Sequence, residues 1–229
     1  MNKLTIHPSP GSELAAWCYL AFQQLALPYL VGWLNGLLSL NIDLAGLNFV
    51  VFSINFVAAI LIFGKYLWRH GVRFALNPLP CLIAAAQGFV VYLIANSLYF
   101  NLIIQVFPNF ANVNDQTITG IFADHYFLMA LSTCLLVPVA EELLHRGLVF
   151  RALYRKSPVL GYVVSALLFS AIHVTGYIGR FDTITLLICY IQYIPGALVL
   201  AASYAKTDCI FVPILIHMAI NLMATLSVR

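Results

Sequence analysis

The sequence predicts an all-α fold, a polytopic transmembrane helical bundle of about seven spans, and three observations carry that prediction. Hydrophobic residues make up 62% of the chain and charged residues only 8%, with a mean hydropathy of +0.95. Soluble domains carry roughly 25% charged residues, so water is the wrong solvent for this composition. The apolar residues fall in runs of about 20, the length a helix needs to cross ~30 Å of hydrocarbon. Short polar links separate the runs, and no link is long enough to hold a soluble domain of its own.

Taken in order, the hydropathy pattern gives spans at Glu13–Leu40, Gly46–Trp68, Pro80–Phe107, Phe122–Ala140 continuing as a helix to Tyr154, Pro158–Val174, Thr183–Ala205 and Cys209–Leu226. The first apolar run outlasts the h-region of a signal peptide and reads as a retained helix. Pro28 and the pair Pro195-Gly196 fall inside spans and are expected to bend them, because proline removes a backbone bond and crowds the preceding turn. "WRHGVRFALNPLP" and "FPNFANVNDQTITG" read as the two clear loops, one basic and the other turn-rich. The chain divides into N-terminal transmembrane helices, residues 1–121, and a helical core, residues 122–229.

Lys3, Lys65, Arg69, Arg73, Arg151, Arg155, Lys156 and Lys206 fall on one side of a seven-span topology, and only Arg180 and Arg229 on the other. Cytoplasmic loops are enriched in such cations, so the expectation is a protein of the cell's inner (plasma) membrane with its N-terminus cytoplasmic and its C-terminus outside. A formal charge of +3, dispersed along the chain, gives no footprint for nucleic acid. The partners expected are membrane lipids and a peptide or lipidated protein. The five cysteines stand singly in apolar segments and read as small core hydrophobes rather than a disulfide or zinc framework.

Of the eight acidic residues, six sit at predicted helix ends or in loops, and only the adjacent Glu141 and Glu142 lie where a span should still be in or near the bilayer. An ionisable group in a bilayer costs several kcal/mol and normally faces the bundle interior with a partner. Neighbours on a helix point about 100° apart, so the two glutamates serve different surroundings. Glu142 and Arg146 stand at i, i+4, the spacing of a carboxylate–cation pair, while Glu141 shares its face with His145 and looks for a partner on another helix. His173 lies in the next span. Counted from the turn at Lys156-Ser157, Glu141 and His173 are about 15 and 16 residues away, so at 1.5 Å per residue both lie roughly 23 Å from the turn, at one depth. In the last span His217 and Asn221, again at i, i+4, project from one face.

A carboxylate and a neutral imidazole meeting in a wet pocket can orient and deprotonate water, and partial desolvation makes the carboxylate a better base. Two donors on one helix face, His217 and Asn221, suit the oxyanion that forms as water adds to a carbonyl. Glu142 and Arg146 would then form a supporting ion pair. A serine or cysteine nucleophile is the poorer reading, because the chain has no G-x-S-x-G elbow. Zinc stays open as an alternative, with Glu141, His173 and His217 as its three ligands, although H-E-x-x-H is missing. A proton-coupled transporter would also use membrane Glu and His, but the chain shows one cluster and no repeated halves.

The motifs "EELLHR", "FSAIH" and "HMAIN" resemble the EExxxR, FxxxH and HxxxN series of the CPBP family, in the same order, over roughly Asp124–Ala224. That family holds type II CAAX prenyl endopeptidases together with bacteriocin-processing or immunity proteins, also called the Abi family. The resemblance implies an intramembrane endopeptidase in which Glu141 and His173 activate water, His217 and Asn221 form the oxyanion site, and Glu142 and Arg146 support them. It implies either a glutamate-type or a metal-dependent hydrolase. It equally admits a non-enzymatic immunity or scaffold protein that holds a peptide in the same cavity.

Overall fold

The computed structural model describes residues 4–228, with the side chains of Ala123 and Asp124 excepted. Lys3 and Arg229, two of the cations used above for orientation, lie outside the described residues. Helices account for nearly all of the chain, in the order α1 (Pro10–Leu25), α2 (Leu27–Leu37), α3 (Leu44–Leu76), α4 (Pro78–Val106), α5 (Val113–Leu131), α6 (Val137–Glu142), α7 (Arg151–Tyr154), α8 (Pro158–Ile172), α9 (Thr183–Thr207) and α10 (Phe211–Ser227). Two π-helical stretches, Ser132–Leu136 and Leu143–Phe150, join α5, α6 and α7 into one continuous rod. A short 3-10 turn, Thr175–Tyr177, follows α8.

Local chemistry sets the helix starts. Ser9, Asp43 and Asp182 accept from the backbone N–H three residues on, and proline stands in the first turn of α1, α4 and α8. Asn112 caps α5 by accepting from the N–H groups of Asn114 and Asp115. At the end of α9 the chain turns through Asp208 in the left-handed region, φ 46°.

Among the described residues, five helical stretches are long and apolar enough to cross a membrane: α3, α4, the rod from His125 to Tyr154, Pro158–Tyr177 and α9. Helices α1 and α2 make a sixth if taken together across a 55° bend beside Pro28, and α10 is a shorter apolar helix. This is compatible with about seven spans. Pro195, by contrast, sits inside an unbroken α9.

The basic stretch read as a loop is corrected. Residues 68–76 continue α3, and the break is confined to Asn77, because a residue before proline is driven out of the helical region and Pro78 then opens α4. The long aliphatic stems of Arg69 and Arg73 let the helix run on past the hydrocarbon. Much of the second predicted loop is also helix, since α5 begins at Val113.

The His125–Tyr154 rod is central: half of its most apolar window is buried, against 11% and 6% for α3 and α4. All eight residues from Leu143 to Phe150 are buried. Around them pack Phe63 and Tyr66 of α3, Ala201 and Tyr204 of α9, and Ile214 of α10. The Tyr66 and Tyr204 hydroxyls meet at 2.7 Å inside this core. Outward-facing Leu61, Leu98 and Phe127 are among many exposed apolar side chains, as expected of a surface that meets lipid. The N-terminal segment is tied to the rod by Glu13, which meets the buried Arg151 at 2.9 Å.

Candidate active site

Three elements bring the motif residues together. The central rod carries Glu141, Glu142 and Arg146, α8 ends beside His173, and α10 carries His217 and Asn221. The two glutamates stand at the seam between α6 and the second π-helical stretch. Such wide turns are rare and recur at functional sites, where they re-aim side chains that a regular helix would point elsewhere.

Glu142 faces inward and is fully buried. Its Oε1 accepts from Arg146 Nη1 at 3.1 Å and lies 2.9 Å from His217 Nδ1. The Arg146 guanidinium also donates to the Ala197 carbonyl at 3.1 Å and lies 4.2 Å over the Phe169 ring. Four elements are thereby fastened around one buried cation. With Glu142 ionised against Arg146, the proton shared with His217 sits on Nδ1, so His217 can donate from Nε2 only as an imidazolium.

Glu141 points the other way. It lines a cavity of about 410 Å³, and its Oε2 is buried without a hydrogen-bond partner among the described residues. His173, His217 and Asn221 line the same cavity. His173 Nδ1 is 2.9 Å from the Phe169 carbonyl, which can only accept, so that nitrogen carries the proton and Nε2 keeps its lone pair. Asn221 donates one amide hydrogen to the Thr133 carbonyl at 2.7 Å and keeps a second.

His145, placed by spacing on the face of Glu141, has both ring nitrogens buried without hydrogen-bond partners among the described residues, and its ring stands edge-on to Phe169 at 5.2 Å.

Several lining residues escaped the sequence reading. Tyr193 of α9 stacks on the His173 ring at 4.0 Å, and its hydroxyl donates to Asp115 at 3.1 Å. Asp115 sits in the first turn of α5, ahead of the membrane rod, and lines the cavity. The surrounding protein raises its carboxyl above the ordinary aspartate range, offset in part by hydrogen bonds from Tyr193 and Asn114. No local spacing links positions 115, 173 and 193; only the fold does. Asn48 and Asn55 of α3 complete a polar wall, so the N-terminal helices supply part of the cavity.

Among the described residues no three His, Cys, Asp or Glu side chains are gathered so as to hold a metal ion. Glu141, His173 and His217, as they stand, do not form such a group.

A comparison with protein families matches residues 123–223 to the model described as Type II CAAX prenyl endopeptidase Rce1-like. This stretch is an Rce1-like domain. It begins in α5 and ends in α10, and so takes in all the motif residues of the site. With its apolar helices, the protein carrying this domain is an integral membrane protein. No curated protein and no solved structure matches the chain.

Proposed function

We propose that this protein is an intramembrane endopeptidase that hydrolyses a peptide bond in a membrane-associated or lipidated, CAAX-type protein, using water activated by Glu141 and His173. The observation that carries the reading is the meeting of Glu141, His173, His217 and Asn221, from three separate helices, on one cavity, with a carboxylate oxygen of Glu141 left without a partner. A partly buried carboxylate that faces a cavity together with two imidazoles and an amide is placed to act on what enters that cavity.

In this mechanism Glu141 takes a proton from water while His173 Nε2 accepts a hydrogen bond from the same molecule and aims it. The water oxygen bonds to the substrate carbonyl carbon, and the carbonyl electron pair moves onto oxygen. Asn221, through its free amide hydrogen, donates to that oxyanion, and His217, held by Glu142, completes the oxyanion site beside it. Collapse breaks the C–N bond, and the proton on Glu141 passes to the leaving amine. The basic end of the bundle is taken as cytoplasmic, which puts the N-terminus in and the C-terminus out.

The test is cleavage of a fluorogenic prenylated peptide by the full chain in liposomes, with and without a chelator. Wild type should cleave in both conditions. Glu141→Gln and His173→Ala should lose ~10²–10⁴-fold activity while remaining folded. Cleavage that survives Glu141→Gln would remove Glu141 as the base, peptide bound but not cleaved by wild type would leave the immunity or scaffold role, and cleavage abolished by chelation would call for a metal.

A further inference from the structure

The cavity beside Glu141 has a direction. Arg69, Arg73, Arg151, Arg155, Lys156 and Lys206 collect where α3 and α9 finish and where α7 meets α8, which makes this the basic end of the bundle. The links at the opposite end are residues 38–43, 107–112 and 173–182, and among the described residues Arg180 is their single lysine or arginine. Glu141 lies thirteen residues before Tyr154 and His173 fifteen after Pro158, so both stand roughly 20 Å from the basic turn between α7 and α8. From that depth the lining continues along α3 through Asn55, Phe52 and Asn48 toward the helix start at Leu44, and along α10 through Asn221, Ala224 and Val228 to the helix end. Seven residues on each helix carry the cavity about 10 Å further from the cations.

Toward the basic end there is packed core instead. Leu143–Phe150 is buried at every position, Phe63, Tyr66 and Tyr204 close around it, and the two tyrosine hydroxyls bond to each other. Substrate and water therefore reach Glu141 from the end away from the cations. Cytoplasmic ends of membrane bundles carry the excess of lysine and arginine. We propose that the cavity opens on the extracytoplasmic face and, resting on the peptidase reading, that its substrate is an exported, membrane-anchored peptide rather than a cytoplasmic tail. The ~10 Å between the catalytic residues and the rim takes about three residues of extended chain, and Asn48 and Asn55 stand along it to meet the polar groups of a peptide backbone.

The test is labelling of the full chain by a membrane-impermeant maleimide in right-side-out and in inside-out membrane vesicles, so the direction of opening does not depend on cleavage. Thr119 is exposed on the cavity lining and Lys156 is exposed at the basic turn. Thr119→Cys should label in right-side-out vesicles and lose that signal in inside-out ones, and Lys156→Cys should do the reverse, with the unaltered chain as background. A membrane-impermeant fluorogenic peptide should be cleaved by the unaltered chain only in right-side-out vesicles, with Glu141→Gln as its blank. Thr119→Cys labelled only in inside-out vesicles, both cysteines labelled from one side, or cleavage confined to inside-out vesicles would each overturn the proposal. Labelling as expected with no cleavage from either side would overturn the peptidase reading, and with it the substrate, while the outward opening stands.

Discussion

Adjacent glutamates should respond to the same substitution with opposite changes in stability. Glu142 is fully buried and its Oε1 serves both Arg146 and His217, so Glu142→Gln keeps the shape but leaves the Arg146 guanidinium, itself fully buried, without its counter-ion. The remaining contacts to the Ala197 carbonyl and the Phe169 ring do not neutralise that charge. Breaking one partner of a buried pair costs about 3–5 kcal/mol. At ~2–4 °C per kcal/mol for a chain of this size, the midpoint should fall by roughly 6–20 °C. Glu141→Gln removes a carboxylate whose buried Oε2 has no hydrogen-bond partner among the described residues, and should raise stability by ~1–3 kcal/mol. The measurement is thermal unfolding of each variant in the same detergent, alongside Glu142→Gln combined with Arg146→Met. That double variant should recover much of the loss, because an apolar replacement of a whole buried pair is often neutral. Equal losses for the two glutamates, or a tolerated Glu142→Gln with Arg146 present, would refute the assignment of one glutamate to the fold and the other to the cavity.

Three further outcomes follow from single contacts. His145→Phe keeps an aromatic ring against Phe169 while removing two buried nitrogens without partners, and should raise the unfolding midpoint by the equivalent of ~1–3 kcal/mol; a lower midpoint would mean that the imidazole is engaged. Gly161→Ala should destabilise by ~1–3 kcal/mol in the same measurement, because a Cβ there would stand 2.9 Å from the Tyr154 Cα, on backbone that cannot swing aside, and an unchanged midpoint would show that the turn between α7 and α8 yields. His7 accepts from Arg151 at 3.1 Å and is held below its ordinary value of 6.5 by burial, then by Arg151 and Arg155, so docking of the N-terminal segment is full above that value and weakens as pH falls below it. Thermal stability measured from pH 7.5 down to 5.5 should therefore decline more in wild type than in His7→Gln, and parallel curves would remove His7 as the cause.

What the sequence made legible depended on physics that acts along the chain. Span positions follow from hydropathy because a bilayer selects length and composition directly. Constant helical rise, counted from one turn, points Glu141 and His173 toward each other, and both line the same cavity. The Glu142–Arg146 contact follows from i, i+4 geometry. The illegible parts are the ones fixed by distant partners. Spacing makes His217 a donor standing with Asn221, yet its Nδ1 is taken by a carboxylate 75 residues earlier in the chain, which no local spacing encodes. Asn112, Asn114 and Asp115 look like turn residues because their composition is that of turns; in the fold Asn112 caps α5, while Asn114 and Asp115 line the cavity. The Arg-rich run after Trp68 looks like a loop for the same reason, although cations with long stems extend α3 beyond the apolar belt.

These failures share a cause with the site itself. A polar residue in an apolar chain announces that it has a partner but not which one, and the identity of the partner decides whether the group is bound or reactive. Each glutamate buries an Oε2 without a partner among the described residues, but the Oε1 of Glu142 meets Arg146 and His217 and is held in place, whereas Glu141, one residue away, lines the cavity. The difference between an anchor and a base is thus set by the 100° that separates neighbours on a helix and by which helix happens to lie across from each.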